Sequence, residues 1–133
     1  MCVFCKIMNN EIPAYTLYEN EYVKCFLDIS QATIGHTLVV PKKHVQDVFS
    51  LDKVEAEEIM KATVKVSNIL KEKLNVENIN LLNNSGLLAG QTVMHFHLHV
   101  LPRYGNDEID FHQVEHEPDF EKLAKLYTKL IEK

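Results

Sequence analysis

The stretch QTVMHFHLHVLPR, residues 91–103, sets three of the chain's seven histidines at alternate positions, with Phe96, Leu98 and Val100 filling the register after each. In an extended chain, residues two apart share a face. His95, His97 and His99 therefore point one way, and the three apolar side chains point the other way, into a core. A merely solvated strand face would use Thr, Lys or Glu, because histidine has no particular strand preference. Three adjacent imidazoles also repel one another once protonated, so the pattern calls for chemistry. Two kinds compete: the three rings bind one metal together, or one is a nucleophile or acid–base group and the others position a substrate.

The residues just upstream favour the second. NNSGLLAGQT (83–92) offers amides, glycines and hydroxyls and no carboxylate. Such a neutral loop, rich in backbone N–H groups, suits an anion better than a cation, and phosphate is the expected anion. Its grip must be local, because the net charge of −5 gives no general attraction to nucleic acid or to an anionic membrane.

Further out, YTLYEN and EYVKCFLDIS read as a hairpin turning at Glu19–Glu21, and HTLVVP as a third strand stopped by Pro41. From Asp52 to Leu74 the apolar period changes to three and four (Ala56, Ile59, Met60, Thr63, Val66, Ile69, Leu70), predicting a long helix capped by Asp52 and Glu55. NINLLNNSG is a fourth strand and HFHLHVLP a fifth. A last helix is expected from about Pro118 through Phe120, Leu123, Tyr127 and Leu130. The result is a single α+β domain over residues 1–133, with a mainly antiparallel five-stranded sheet, one long helix and a C-terminal helix. The composition, 46% hydrophobic and 25% charged, is that of a globular chain. No apolar run approaches a membrane span, and the N-terminus lacks a secretory pattern, so a cytoplasmic protein is expected.

Cys2 and Cys5 form a C-x-x-C pair, which by itself reads as a metal site or a redox pair; no thioredoxin-like context follows it. Cys25, mid-strand, is expected to be a small buried residue.

Together these motifs are similar to those of the histidine-triad (HIT) family. GQTVMHFHLHVLPR resembles its His–φ–His–φ–His–φ–φ signature, where φ is apolar. CVFCKIMNNEIPAYTLYENEYVKCFLDIS resembles its N-terminal hairpin, and GHTLVVPKKHV its third strand and turn. The similarity runs from Cys2 to about Arg103, and residues 104–133 are a variable C-terminal segment.

The resemblance implies a nucleotide hydrolase or transferase: a nucleoside phosphoramidate or dinucleoside polyphosphate is attacked at its α-phosphorus, and a nucleoside monophosphate, on family grounds AMP, is released. His97 would be the nucleophile, forming a nucleotidyl-histidine intermediate. His99 would contact the phosphate or the leaving-group bridge and, if protonated, supply charge or a proton. His36 would support them. Asn84, Gly90, Gln91 and Thr92 match the phosphate-contacting loop, Asp28 the ribose site and Ile29 the base contact. Phe4, Ile7, Phe26 and Leu38 would complete the apolar wall, with core packing as their competing reading. The same resemblance implies one structural zinc per chain on Cys2, Cys5, His44 and His95, and a homodimer. Two other classes stay open: a nucleotide-binding regulator whose slow hydrolysis is incidental, and a catalytic metal centre built on the histidines.

Overall fold

The computed structural model describes residues 2–133. Five strands, β1 (Thr16–Glu19), β2 (Val23–Leu27), β3 (Thr37–Pro41), β4 (Asn78–Leu82) and β5 (Leu98–Arg103), form one antiparallel sheet in the order β1-β2-β3-β5-β4. The β1–β2 turn is held by Asn20, whose Oδ1 accepts from the N–H groups of Tyr22 and Val23. Helix α2 (Lys53–Leu74) covers one face of the sheet, and the short helix α1 (Val3–Met8) covers part of the other.

The two-residue period of the strands sorts their side chains between these helices. Val23, Cys25, Val39, Phe96 and Val100 meet Ile59, Ala62, Val66 and Leu70 of α2. Phe26, Leu38 and Val40 meet Phe4 and Ile7 of α1. Cys25 lies in the α2-side core. The start of α2 matches expectation: Asp52 and Glu55 form a reciprocal capping box. Asn75 ends the helix in the left-handed region at φ 54°.

Four differences from the sequence reading have physical causes. Residues 3–8, expected as the lead-in to the hairpin, are helical: Cys2 caps the N-terminus, accepting from the Cys5 N–H, and Phe4 and Ile7, three apart, bury on one face. Regular pairing of β5 starts only at Leu98, because β3 ends at Pro41, which has no N–H to donate, and the Phe96 N–H bonds instead to the Val45 carbonyl at 2.6 Å. The inner stripe of α2 is Ile59, Ala62, Thr63, Val66 and Leu70, while Ala56 and Met60 face outward. The last helix, α3, begins at Phe120 with Asp119 as its cap and runs to Ile131, with its apolar residues exposed. Among the described residues no helix is long and apolar enough to cross a membrane.

Candidate active site

The sheet face covered by α1 opens into a cavity of ≈ 380 Å³ floored by His97 and His99. Its apolar wall includes Phe4, Ile7, Phe26 and Leu38, which also pack as a small core, so both readings of these residues hold at once. Asp28 and Ile29 lie at the mouth; Ile29, 93% exposed, is a rim residue and not a packed one. Asn84, Gly90 and Thr92 close the opposite side. Gly90 has φ +92°, a conformation that L side chains rarely adopt.

Gln91 has another job. Its side chain accepts from the Gly86 N–H and donates to the carbonyls of Gln46 and Val93, and its own N–H donates to Gly86. It pins the loop, and unlike Asn84, Gly90 and Thr92 it does not line the cavity. Sequence reasoning also missed Ile12, Pro13 and Ala14, which line the cavity from the segment between α1 and β1. The apolar run IPA just after a polar NNE was the available signal.

The three alternate histidines do three different things, and fixed backbone groups say which nitrogen of each carries the proton. His97 Nδ1 lies 2.8 Å from the His95 carbonyl, which can only accept, so Nδ1 is protonated and the Nε2 lone pair is free. Its ring meets the Phe4 ring edge-on at 5.0 Å. The His97 carbonyl in turn accepts from Asn83 Nδ2, and Asn83 Oδ1 accepts from the Ser85 hydroxyl. Neither Asn83 nor Ser85 was singled out from the sequence.

His95 is fully buried and donates from Nε2 to the Pro41 carbonyl at 2.8 Å. That leaves the Nδ1 lone pair facing Cys2 Sγ at 3.3 Å and Cys5 Sγ at 3.5 Å. His44 Nδ1 lies 3.6 Å and 3.2 Å from the same sulfurs. All four donor atoms fall within 4.8 Å of one another. Burial, then the adjacent Cys2 thiol, pushes the Cys5 thiol up to about 11. Two sulfurs, two imidazole nitrogens and no carboxylate fit a closed tetrahedral Zn²⁺ site with no open position.

His99 turns to His36. Burial pushes its pKa down to about 4, with the neighbouring His97 and His36 adding to the effect, so at neutral pH its ring is uncharged. In the unliganded protein, therefore, His99 carries no charge to supply. His36 is 5% exposed, and burial lowers its pKa as well, against the opposing pull of Asp28. Asp28, His36 and His99 also gather their donor atoms within 4.8 Å. However, the Ala32 N–H takes up the Nδ1 lone pair of His36, leaving the proton on Nε2, the atom that faces the other two. His36 and His99 are thus joined by a hydrogen bond at 2.9 Å, with Asp28 Oδ2 3.6 Å from His36 Nε2.

Comparison with known proteins decides the family, because a HIT domain profile matches residues 9–106. The chain belongs to the HIT family. Protein hit of Bacillus subtilis is 43% identical over 107 residues, covering 80% of this chain and 74% of its own length. An adenosine 5'-monophosphoramidase of Saccharomyces cerevisiae is 34% identical over 135 residues, covering 99% of this chain and 82% of its own. Among solved structures, a HIT family protein of Bacillus anthracis superposes with a TM-score of 0.91 at 45% identity, covering 97% of this chain and 94% of that one. A Zn-bound histidine triad family protein of Mycobacterium smegmatis gives 0.77 at 34% identity, covering 96% of each chain. The chain is thus a HIT-fold enzyme of hydrolase type, with a Cys2–Cys5–His44–His95 group able to hold a metal.

Proposed function

We propose that this HIT protein hydrolyses a nucleoside phosphoramidate or dinucleoside polyphosphate at its α-phosphorus through a nucleotidyl intermediate on His97, releasing AMP. The observation that carries this reading is the Nε2 lone pair of His97, held at the cavity floor by the Nδ1–H bond to the His95 carbonyl. An adenine fits the wall of Phe4, Ile7 and Leu38 under Ile29. Asp28 Oδ1 is engaged by the Ser30 N–H, which leaves Oδ2 for ribose hydroxyls. Asn84, Thr92 and the backbone at Gly90 receive the phosphate.

In the first step Nε2 of His97 bonds to phosphorus while the bond from phosphorus to the leaving atom breaks, its electron pair departing on that atom. The ring becomes an imidazolium whose Nδ1–H stays on the His95 carbonyl. Water then attacks phosphorus and gives up one proton to solvent, while the electron pair of the breaking P–N bond returns to Nε2. One hard displacement is divided into two, and catalysis is mainly positioning and electrostatics.

Zinc on Cys2, Cys5, His44 and His95 would tie α1 and the turn after β3 to the histidine segment, a structural role outside the reaction. A second copy of the chain would cover the exposed apolar faces of α3 (Phe120, Leu123, Tyr127, Leu130) and α2 (Met60, Val64). Light scattering at micromolar concentration is expected to return the mass of two chains.

Intact-mass analysis of enzyme quenched during turnover of an adenylyl amide tests the chemistry. One added adenylyl group, absent in His97→Ala, is expected. Undiminished hydrolysis by His97→Ala would sink the nucleophile assignment, and nucleotide binding without turnover would favour the regulator reading.

A further inference from the structure

The turn between β2 and β3, residues 28–36, lies beside the cavity, and most of it belongs to no motif singled out above. Its hydrogen bonds have a direction. Gln31 clamps it from inside: Nε2 donates to the Asp28 and His36 carbonyls at 2.5 and 2.8 Å, and Oε1 accepts from the Gly35 N–H at 2.8 Å. The Asp28 N–H bonds to the His36 carbonyl and the His36 N–H to Thr33, closing the loop on itself. In the clamped turn the Ala32 N–H points at His36 Nδ1, 3.2 Å away.

A backbone amide can only donate here, and that fact propagates. His36 Nδ1 must be unprotonated, so the proton of the neutral ring is on Nε2. His36 Nε2 lies 2.9 Å from His99 Nδ1, which must therefore accept. The proton of neutral His99 is then on its Nε2, which has no hydrogen-bond partner among the described residues, on a ring that lines the cavity.

We propose that Gln31 and the Ala32 N–H are positioning elements that set the tautomer of His36 and, through it, that of His99, so that His99 offers an Nε2–H donor to the phosphoryl oxygens or the leaving atom. The role in the reaction rests on the function proposed above; the tautomer chain does not. With the opposite tautomer, His99 would present a lone pair to the departing electron pair and repel it. His99 stays a neutral donor and gives up no proton; the leaving atom takes its proton from water. Burial of His99 works in the same direction by keeping the ring uncharged. Removing a donor aimed at developing charge costs about 10²–10³ in kcat in well-studied sites. Mixing the two tautomers about equally would cost much less, severalfold to tenfold.

Two-bond ¹⁵N–¹H correlation spectra of the zinc-loaded protein at pH 7.5, without substrate, read the tautomers directly. Both His36 and His99 are expected wholly as Nε2–H. Replacing the Gln31–Ala32 amide by an ester, with lactic acid at position 32, deletes the single N–H, and Gln31→Glu removes the two donated clamp bonds while keeping the acceptor. Each is expected to bring Nδ1–H signal into both rings and to lower kcat severalfold with KM within about twofold. His99 carrying Nδ1–H in the parent protein would overturn the proposal. So would an ester variant whose tautomers are unchanged, whatever its activity. If His97→Ala retained full hydrolysis while the tautomers behaved as expected, the nucleophile reading and the catalytic use of the donor would fall together, leaving the tautomer chain intact.

Discussion

The shifted pKa of His99 makes the stability of this protein depend on pH in a calculable way. An unfolded histidine titrates near ~6.5, whereas burial holds folded His99 down to about 4. Between those values the unfolded chain binds a proton that the folded chain refuses, so stability rises with pH across the window and is lost as pH falls from ~6.5 towards 4. At pH 5 an unfolded ring is nearly all protonated and the folded one mostly neutral, a difference of about 2 kcal/mol that shrinks to about 0.2 at pH 7. Because His99 is only part-buried, about 1–2 kcal/mol is the realistic span. His99→Asn deletes the titration while its amide oxygen still accepts from His36 Nε2–H. Urea unfolding of both proteins with excess zinc, at pH 7 and pH 5, isolates the effect, since zinc release and the other histidines are common to the pair. The parent should lose about 1–2 kcal/mol more than the variant on acidification. Equal losses would refute the assignment of a buried, neutral His99.

Four further outcomes can be measured. Gly35 has φ +93°, and a Cβ there would come 2.6 Å from Leu74 Cδ1 and 3.2 Å from Pro102 Cγ; Gly35→Ala should cost at least about 2 kcal/mol in urea unfolding. Gly86→Ala, at φ +99° with nothing within 4 Å, should cost only the backbone strain of about 1 kcal/mol. Phe4 touches Phe26, His95 and His97 through its ring, so Phe4→Ala should destabilise by about 3–5 kcal/mol and lower kcat, as measured by unfolding and steady-state kinetics. Chelation of zinc should abolish activity and lower the thermal midpoint together; loss of activity at an unchanged midpoint would point to metal-centred chemistry instead.

Periodicity made most of the fold legible. The helix from Asp52 to Leu74 was readable because its cap, its length and its three-and-four spacing agree, and local signals that agree seldom mislead. Met60 was assigned to the inner stripe because spacing alone does not set how wide that stripe is; Ala62, a small residue, takes the inner position. Helix α1 was missed because six residues hold too few periods to register, and its stability comes from Cys2 at the cap and from Phe4 and Ile7 against the sheet. At the site, His97, His99 and the Cys2–Cys5–His44–His95 cluster could be named from motif and resemblance. The work of Gln91, Gln31, Asn83 and the Ala32 N–H could not, since each depends on which backbone atoms lie within 3.2 Å, and no spacing rule encodes that.

The three alternate histidines are divided among three neighbourhoods by what lies beside each ring: His95 meets the two thiols of Cys2 and Cys5, His97 the cavity, and His99 the ring of His36 in the turn before β3. Each ring is then oriented by a backbone group that cannot change its role, the carbonyl of Pro41, the carbonyl of His95 and, through His36, the amide of Ala32. The two carbonyls hold the protons of neutral His95 and His97 on Nε2 and Nδ1 respectively, and the amide holds that of neutral His36 on Nε2. The alternation supplies the spacing, and the fixed polarity of the surrounding peptide groups leaves a different nitrogen free on three chemically identical side chains, the difference on which the proposed ligand, nucleophile and donor roles rest.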